Sequence, residues 1–329
     1  MKKWIARWFG GSGDAATAQP DAPAPVSATQ PAPGRAPAAP AAPDPDLAFY
    51  HWLAGPARAD VPATTEQLIL DELTRLARQP QAAADLVPRV PAVIPQLLRS
   101  LRDDSVSAAD LARQVAQDVV LVAEVIREAN SPWYRPSTPV RTIEGALMLL
   151  GQNGLRMLLA RVAFRPVINM QPGRFARQVA PHVWSHSEKC ALAASLVAPH
   201  HGADPFEAYL SGLMQNVGLV VAFRLIDQVH GHALPQSAPF CHALLAGART
   251  LSGRIAGAWE FPQSASQAII QAGHPDAPPL AHALAEADRL AKLRVLLDAG
   301  IPGFDPAYVS AGLDTRLARH FDKLRNQEN

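Results

Sequence analysis

The chain has 329 residues, 48% of them hydrophobic, and 30 Lys plus Arg against 29 Asp plus Glu for a net charge of +1. That length and apolar content can bury a sizeable core, whereas the balanced charge argues against general attraction to nucleic acid or an anionic membrane. The two cysteines, Cys190 and Cys241, lie far apart with no C-x-x-C spacing, which argues against a disulfide framework or a thiolate zinc site and fits a reducing compartment. No apolar run of about 18 residues stands out, and the N-terminus lacks the apolar stretch and cleavage site of a secretory signal. The expected location is the cytoplasm.

In chain order, residues 1–10 come first. On a helix, Trp4, Ile5, Trp8 and Phe9 would share a face beside Lys2, Lys3 and Arg7. This is a candidate docking peptide for a partner or a peripheral membrane contact. The alternative is an exposed terminus with chance aromatics, because isolated helices this short are marginal in water. Residues 11–45 are rich in Ala and Pro, with nine of the 31 prolines between Pro20 and Pro45. Such a segment has few large apolar groups to offset the entropy of ordering and reads as a disordered tether. Residues 46–83 form an N-terminal anchor, in which Phe49-Tyr50-His51-Trp52-Leu53 packs onto the folded body. Leu68, Leu70, Leu73 and Leu76 then predict an amphipathic helix over 65–79.

From residue 84 the pattern is helix after helix. Pro91 opens one carrying Val93, Ile94, Leu97, Leu98 and Leu101. Ser107 with Asp110 reads as an N-cap followed by a first-turn acid, and a further helix runs over 119–129 to a stop at Pro132. Thr142 caps a helix that Gly151 ends. Helices are predicted over 154–164, 175–197, 206–214, 217–229, 262–272 and 280–297. A C-terminal extension over 296–329 carries one over 313–324. With no alternating strands joined by hairpin turns and no repeat of 20–50 residues, the fold class is all-α.

Several short strings occur in an order that resembles one family. They are Leu86-Val87-Pro88-Arg89-Val90-Pro91; Leu111-Ala112 with Asp118 and Leu121, where Val119 replaces a usual Pro; Glu128-Ala129-Asn130-Ser131; Ile143 to Gly151; Trp184-Ser185-His186-Ser187; Gly212-Leu213-Met214-Gln215-Asn216-Val217-Gly218; and Trp259-Glu260-Phe261-Pro262. Each is weak alone, but the ordered set over residues 84–295 resembles an HDOD domain, a bacterial relative of the HD phosphohydrolases. The resemblance implies an N-terminal helical lobe, an HD-like helical lobe and a regulatory role in bacterial signalling.

In an HD hydrolase a His, an adjacent His-Asp pair and a later Asp hold a metal that polarises phosphate and activates water. The resemblance places His186 at the first position, Gln215 and Asn216 at the pair, and Asp288 at the last. Neutral amides are feeble cation ligands beside imidazole and carboxylate, so no metal, no cofactor and no hydrolase activity are expected. His186, Gln215, Asn216 and Asp288 then read as core hydrogen-bonding groups, with Asp288 paired to an Arg, or as a reused polar pocket for an anion, a nucleotide or a partner side chain. The alternatives are a metal-dependent phosphohydrolase rebuilt from His182, His186 and Asp288, and a module that senses cyclic nucleotides. His200-His201 reads as an exposed loop pair. Asn130-Ser131 reads first as a structural corner. The following Trp133, Tyr134 and Arg135 extend it into a candidate recognition surface. The expected partners are unidentified signalling proteins, with no nucleic acid.

Overall fold

The computed structural model describes residues 43–56, 60–79, 81, 106–116, 118–131, 134, 136–169 and 172–325. The docking peptide with Trp4, Trp8 and Phe9, most of the tether, the helix opened by Pro91, and Trp133 and Arg135 lie outside them. Among the described residues there are thirteen helices and no strand. They are α1 (Pro45–Ala54), α2 (Ala63–Arg78), α3 (Ala108–Val115), α4 (Val119–Ala129), α5 (Ile143–Asn169), α6 (Arg174–His201), α7 (Pro205–Met214), α8 (Val217–Val229), α9 (Ala238–Ala258), α10 (Gln263–Gln271), α11 (Pro279–Asp298), α12 (Pro306–Ala311) and α13 (Thr315–Asp322).

Local chemistry accounts for most helix ends. Asp44, Ser107, Asp118, Asp204, Ser237, Asp305 and Asp314 each accept a backbone N–H in the first turn of the next helix. They satisfy donors that have no partner inside the helix. At α3 the cap is reciprocal: Ser107 Oγ accepts from Asp110 N (3.2 Å), and Asp110 Oδ2 accepts from Ser107 N (3.3 Å). The expected stop at Gly151 is a sharp break inside α5, where φ is 68° and ψ is 178°. A residue with a Cβ resists that conformation.

The core of the HD-like lobe is built around α6. That helix packs on α7, α11 and α8, and α9 packs on α8 in turn. Two glycines of the Gly212–Gly218 string set these approaches. A Cβ at Gly212 would lie 2.5 Å from Ala191 Cα on α6, and one at Gly218 would lie 2.2 Å from Ala248 O on α9. The α7–α8 corner can therefore sink between its neighbours only with glycine at both ends.

Four sequence expectations change. The 21-residue α9 was not expected; its Ala, Gly, Ser and Thr content dilutes the apolar periodicity. The helix expected over 313–324 is present as α13, but the short α12 that precedes it was not expected. His200 and His201 end α6 rather than sitting in a loop, and Gly202 caps them with φ 71°. Finally, Pro205–Val229 is long and apolar enough to cross a membrane by length and composition, contrary to the sequence reading. However, 94% of its apolar window is buried inside the protein, and the corner at Gln215-Asn216 divides it.

Gly218→Ala should lower unfolding free energy by about 2 kcal/mol or more, because the new methyl meets backbone that cannot step aside. Urea denaturation read by circular dichroism checks this; an unchanged midpoint would mean that α8 and α9 separate freely.

Candidate functional site

The α7–α8 corner presents two buried side chains to one polar cluster. Gln215 closes α7, its N–H bonded to Ser211 O (3.0 Å), and Asn216 opens α8, its carbonyl accepting from Leu219 and Val220. Ser252 of α9 fixes the corner from behind, since its Oγ lies 2.6 Å from Gln215 O and accepts from Gly218 N (2.8 Å).

From that corner Asn216 Nδ2 reaches His186 Nδ1 on α6 (2.9 Å) and Ser187 Oγ (3.0 Å). Donation from Asn216 assigns the imidazole proton to Nε2. His186 Nε2 lies 3.3 Å from Asp288 Oδ1 on α11, an electrostatic contact too poorly aligned for a hydrogen bond. Gln215 Nε2 donates to the same Asp288 Oδ1 (3.0 Å) and sits 2.7 Å from Cys190 Sγ. The structure thus brings together all four residues at the HD positions.

Four further residues complete the cluster. Arg249 of α9 donates to Asp288 Oδ2 (2.9 Å). Lys292, one helical turn beyond Asp288, donates to Asp288 Oδ2 (2.6 Å) and to Asp46 Oδ1 of α1 (2.6 Å). The Phe49 ring, also from α1, lies 4.5 Å from the His186 ring and 5.6 Å from Lys292 Nζ. The expected Arg partner of Asp288 is therefore Arg249. Lys292, Asp46 and Phe49 were missed, although the i,i+4 spacing of Asp288 and Lys292 was a usable signal. His182 does not join; it is exposed and meets Trp52 edge-on at 4.7 Å.

The electrostatics follow from burial and these contacts. Burial opposes ionisation of Asp288, but Lys292, His186 and Arg249 outweigh it and hold the carboxyl well below its usual range. Burial lowers the pKa of His186 more than Asp288 raises it, so the ring is neutral. Burial lowers that of Lys292, but Asp288 and Asp46 overcome it and raise the value. The Cys190 thiol is pushed well up, chiefly by burial, and is not a thiolate.

Several atoms that could ligate a metal are already occupied within the protein. Both Asp288 oxygens are already engaged by Gln215, Arg249 and Lys292, and His186 Nδ1 is taken by Asn216. Among the described residues no group of three or more His, Cys, Asp or Glu side chains could hold an ion. A recess with room for about one water molecule adjoins the cluster. Gln215, Asn216, Arg249, Asp288, Lys292 and Phe49 contribute to its walls.

A second polar cluster lies among α4, α5 and α6. Glu128 takes Arg161 (3.1 Å) and Arg165 (2.7 Å), and Arg161 also pairs with Glu188. Burial raises the pKa of Glu188 more than Arg161 lowers it. Tyr134, whose phenol is raised by burial, sits within the field of this cluster. The Asn130 amide donates to Ile126 O and Val140 O (both 2.7 Å) and accepts from Val140 N (2.8 Å). It is spent on pinning Val140 to the end of α4, which is a corner role. Ser131 is half-buried beside it.

The profile of the HDOD domain family matches residues 87–275, more than half of the sequence. The chain belongs to the HDOD domain family. Solved structures agree on the fold. An HDOD domain protein from Geobacter sulfurreducens is 21% identical, with 78% of this chain and 98% of that chain covered and a TM-score of 0.53. A candidate phosphohydrolase from Shewanella amazonensis SB2B is also 21% identical, with 74% and 92% covered and a TM-score of 0.54. A candidate signal transduction protein from Marinobacter aquaeolei VT8 is 20% identical, with 76% and 63% covered and a TM-score of 0.53. An uncharacterized protein of Treponema pallidum (strain Nichols) is 25% identical over 166 residues, which make up 50% of this chain and 31% of that protein's length.

Two outcomes follow from the site's electrostatics. Lys292→Met should cost about 3–5 kcal/mol, because it leaves a buried carboxylate short of a cation. Adding Asp288→Leu should recover much of that loss. A double-mutant cycle by urea denaturation measures the coupling, and simple additivity would mean that the pair does not interact. The second outcome concerns pH. A histidine with a depressed pKa in the folded state binds its proton more readily when unfolded. Its stabilising effect is complete above the unfolded value of about 6.5 and shrinks as pH falls below it. His320 shares this sign, since its pKa is lowered by burial and by His200. His186→Gln should therefore flatten part, not all, of the loss of stability below about pH 6.5. A slope identical to that of the parent protein would place His186 in contact with water.

Proposed function

We propose that this HDOD protein is a bacterial regulatory protein that acts by binding in the cytoplasm and does not hydrolyse phosphate esters. The observation that carries the reading is the Gln215-Asn216 pair. Both side chains turn N–H groups, not oxygens, toward Asp288 and His186. Both Asp288 oxygens and His186 Nδ1 are instead hydrogen-bonded within the protein, and Lys292 and Arg249 supply the positive charge. Membership of the HDOD family and a fold shared with a candidate signal transduction protein support a regulatory role. The occupant of the binding surface is a signalling protein. A second reading, a nucleotide-like ligand held without turnover, draws on the recess beside Arg249 and Lys292. Under that reading the ligand would protect the folded state and raise the melting temperature.

The purified chain should contain no stoichiometric Fe, Mn or Zn and should not hydrolyse p-nitrophenyl phosphate or cyclic dinucleotides with any of these metals added. Elemental analysis and a phosphate-release assay check this. Metal-dependent turnover that disappears in His186→Ala would overturn the proposal. A melting shift with cyclic nucleotides but no turnover would favour the second reading.

A further inference from the structure

The helix α1 lies across the HD cluster and supplies groups that the cluster uses. Asp46 places a carboxylate 2.6 Å from Lys292 Nζ. Phe49, three residues on, covers His186 and lines the recess, and Tyr50 stacks on Phe223 of α8 with ring centroids 5.9 Å apart. Phe49, Tyr50 and Leu53 are buried, so the helix is seated. Polar contacts add to that seat: Asp44 to His242 (2.6 Å), the buried Tyr50 Oη to Pro235 O (2.8 Å), His51 Nε2 to Gln236 O (3.2 Å), Tyr308 Oη to Pro43 O (3.3 Å) and Gln236 Nε2 to Gly55 O (2.9 Å).

The charge arrangement decides how α1 can move. Lys292 holds two carboxylates at once, Asp288 beneath it and Asp46 above it. The Asp288 side chain is 8% exposed, whereas that of Asp46 is 48% exposed. If α1 lifts away, Asp46 returns to water at little cost, and Lys292 keeps its buried partner. No buried charge is stranded, which is the event that makes breaking an internal ion pair expensive. The exit point also suits a hinge, because Gly55 follows α1 at φ 69°, a backbone region open to glycine. With α1 gone, Lys292 and Arg249 would face solvent with only Asp288 to balance them.

We propose that the surface over Lys292, His186 and the recess is a helix-docking site with a carboxylate subsite at Lys292, and that α1 is its releasable intramolecular occupant. The chemistry it selects is that of α1 itself: a predominantly apolar helix with an acid in its first turn and, three residues later, a large aromatic ring. This goes beyond the regulatory reading, because it assigns a covered and an uncovered state to the site, whatever the partner proves to be.

Native-state hydrogen exchange followed by mass spectrometry on the full chain tests the proposal. In low urea, amides of residues 48–54 should open in a local event that exposes less surface than the global unfolding governing α6 and α8. Asp46→Asn should speed exchange of that set about three- to tenfold and leave α6 and α8 unchanged, whereas Asp46→Glu should retain most of the protection. Exchange of α1 only through global unfolding would overturn the releasable helix. An Asp46→Asn rate equal to that of the parent chain would overturn the carboxylate subsite. Neither readout depends on catalysis or metal content, so the proposal can fail while the regulatory reading stands.

Discussion

A carboxylate in the middle of a helical core must be neutralised, and much of this molecule is arranged around doing that for Asp288. An uncompensated charge there would cost several kcal/mol even after relaxation. The HD motif meets the same demand with a divalent ion held by imidazole and carboxylate. Here the cations are covalent parts of the chain. Lys292 lies one turn along α11, and Arg249 reaches in from α9. Once two fixed cations serve the acid, a neutral amide is the compatible neighbour at the corner. Gln215 can donate to Asp288 without adding a charge that would also need a partner.

The fold delivers these groups through backbone proximity rather than through long reaching side chains. Gly212 and Gly218 bracket the α7–α8 corner and let it approach α6 and α9 so closely that a methyl group would collide with backbone. The short Gln and Asn side chains at the corner therefore span from α8 to α6 and α11 within hydrogen-bond distance. Ser252 then ties the corner to α9, the helix that also carries Arg249.

Much of this was legible in the sequence, and the gaps have physical causes. The ordered strings from Leu86 to Pro262 pointed to the family, and the caps at Ser107 and Thr142 stand where side-chain oxygens accept first-turn amides. His186, Gln215, Asn216 and Asp288 were identified together because the family's motif order places them, not because their spacing reveals contact. The helix α9 was missed because helix packing this close selects Ala, Gly and Ser, and small residues carry a weak hydrophobic period. With α9 went Arg249. Asp46 gave no signal at all: it is a first-turn acid in an unremarkable helix, 246 residues from Lys292, and only the tertiary fold shows what it touches.

The helix α6 explains why the moving part should be at the edge rather than in the centre. It holds His186 and Cys190 in the HD cluster, and Glu188, between them in sequence, turns to the Glu128–Arg161 cluster on another side. Any rotation of α6 would have to disturb both polar clusters and the close contact with Gly212. Buried polar networks of this kind are costly when partly satisfied, so α6 serves as a fixed beam. By contrast, α1 meets only one of the clusters, through the apolar Phe49 ring and through an acid that remains half in water. A conformational change in this protein therefore meets least electrostatic resistance where the chain enters the HD-like lobe, at the helix that covers the site.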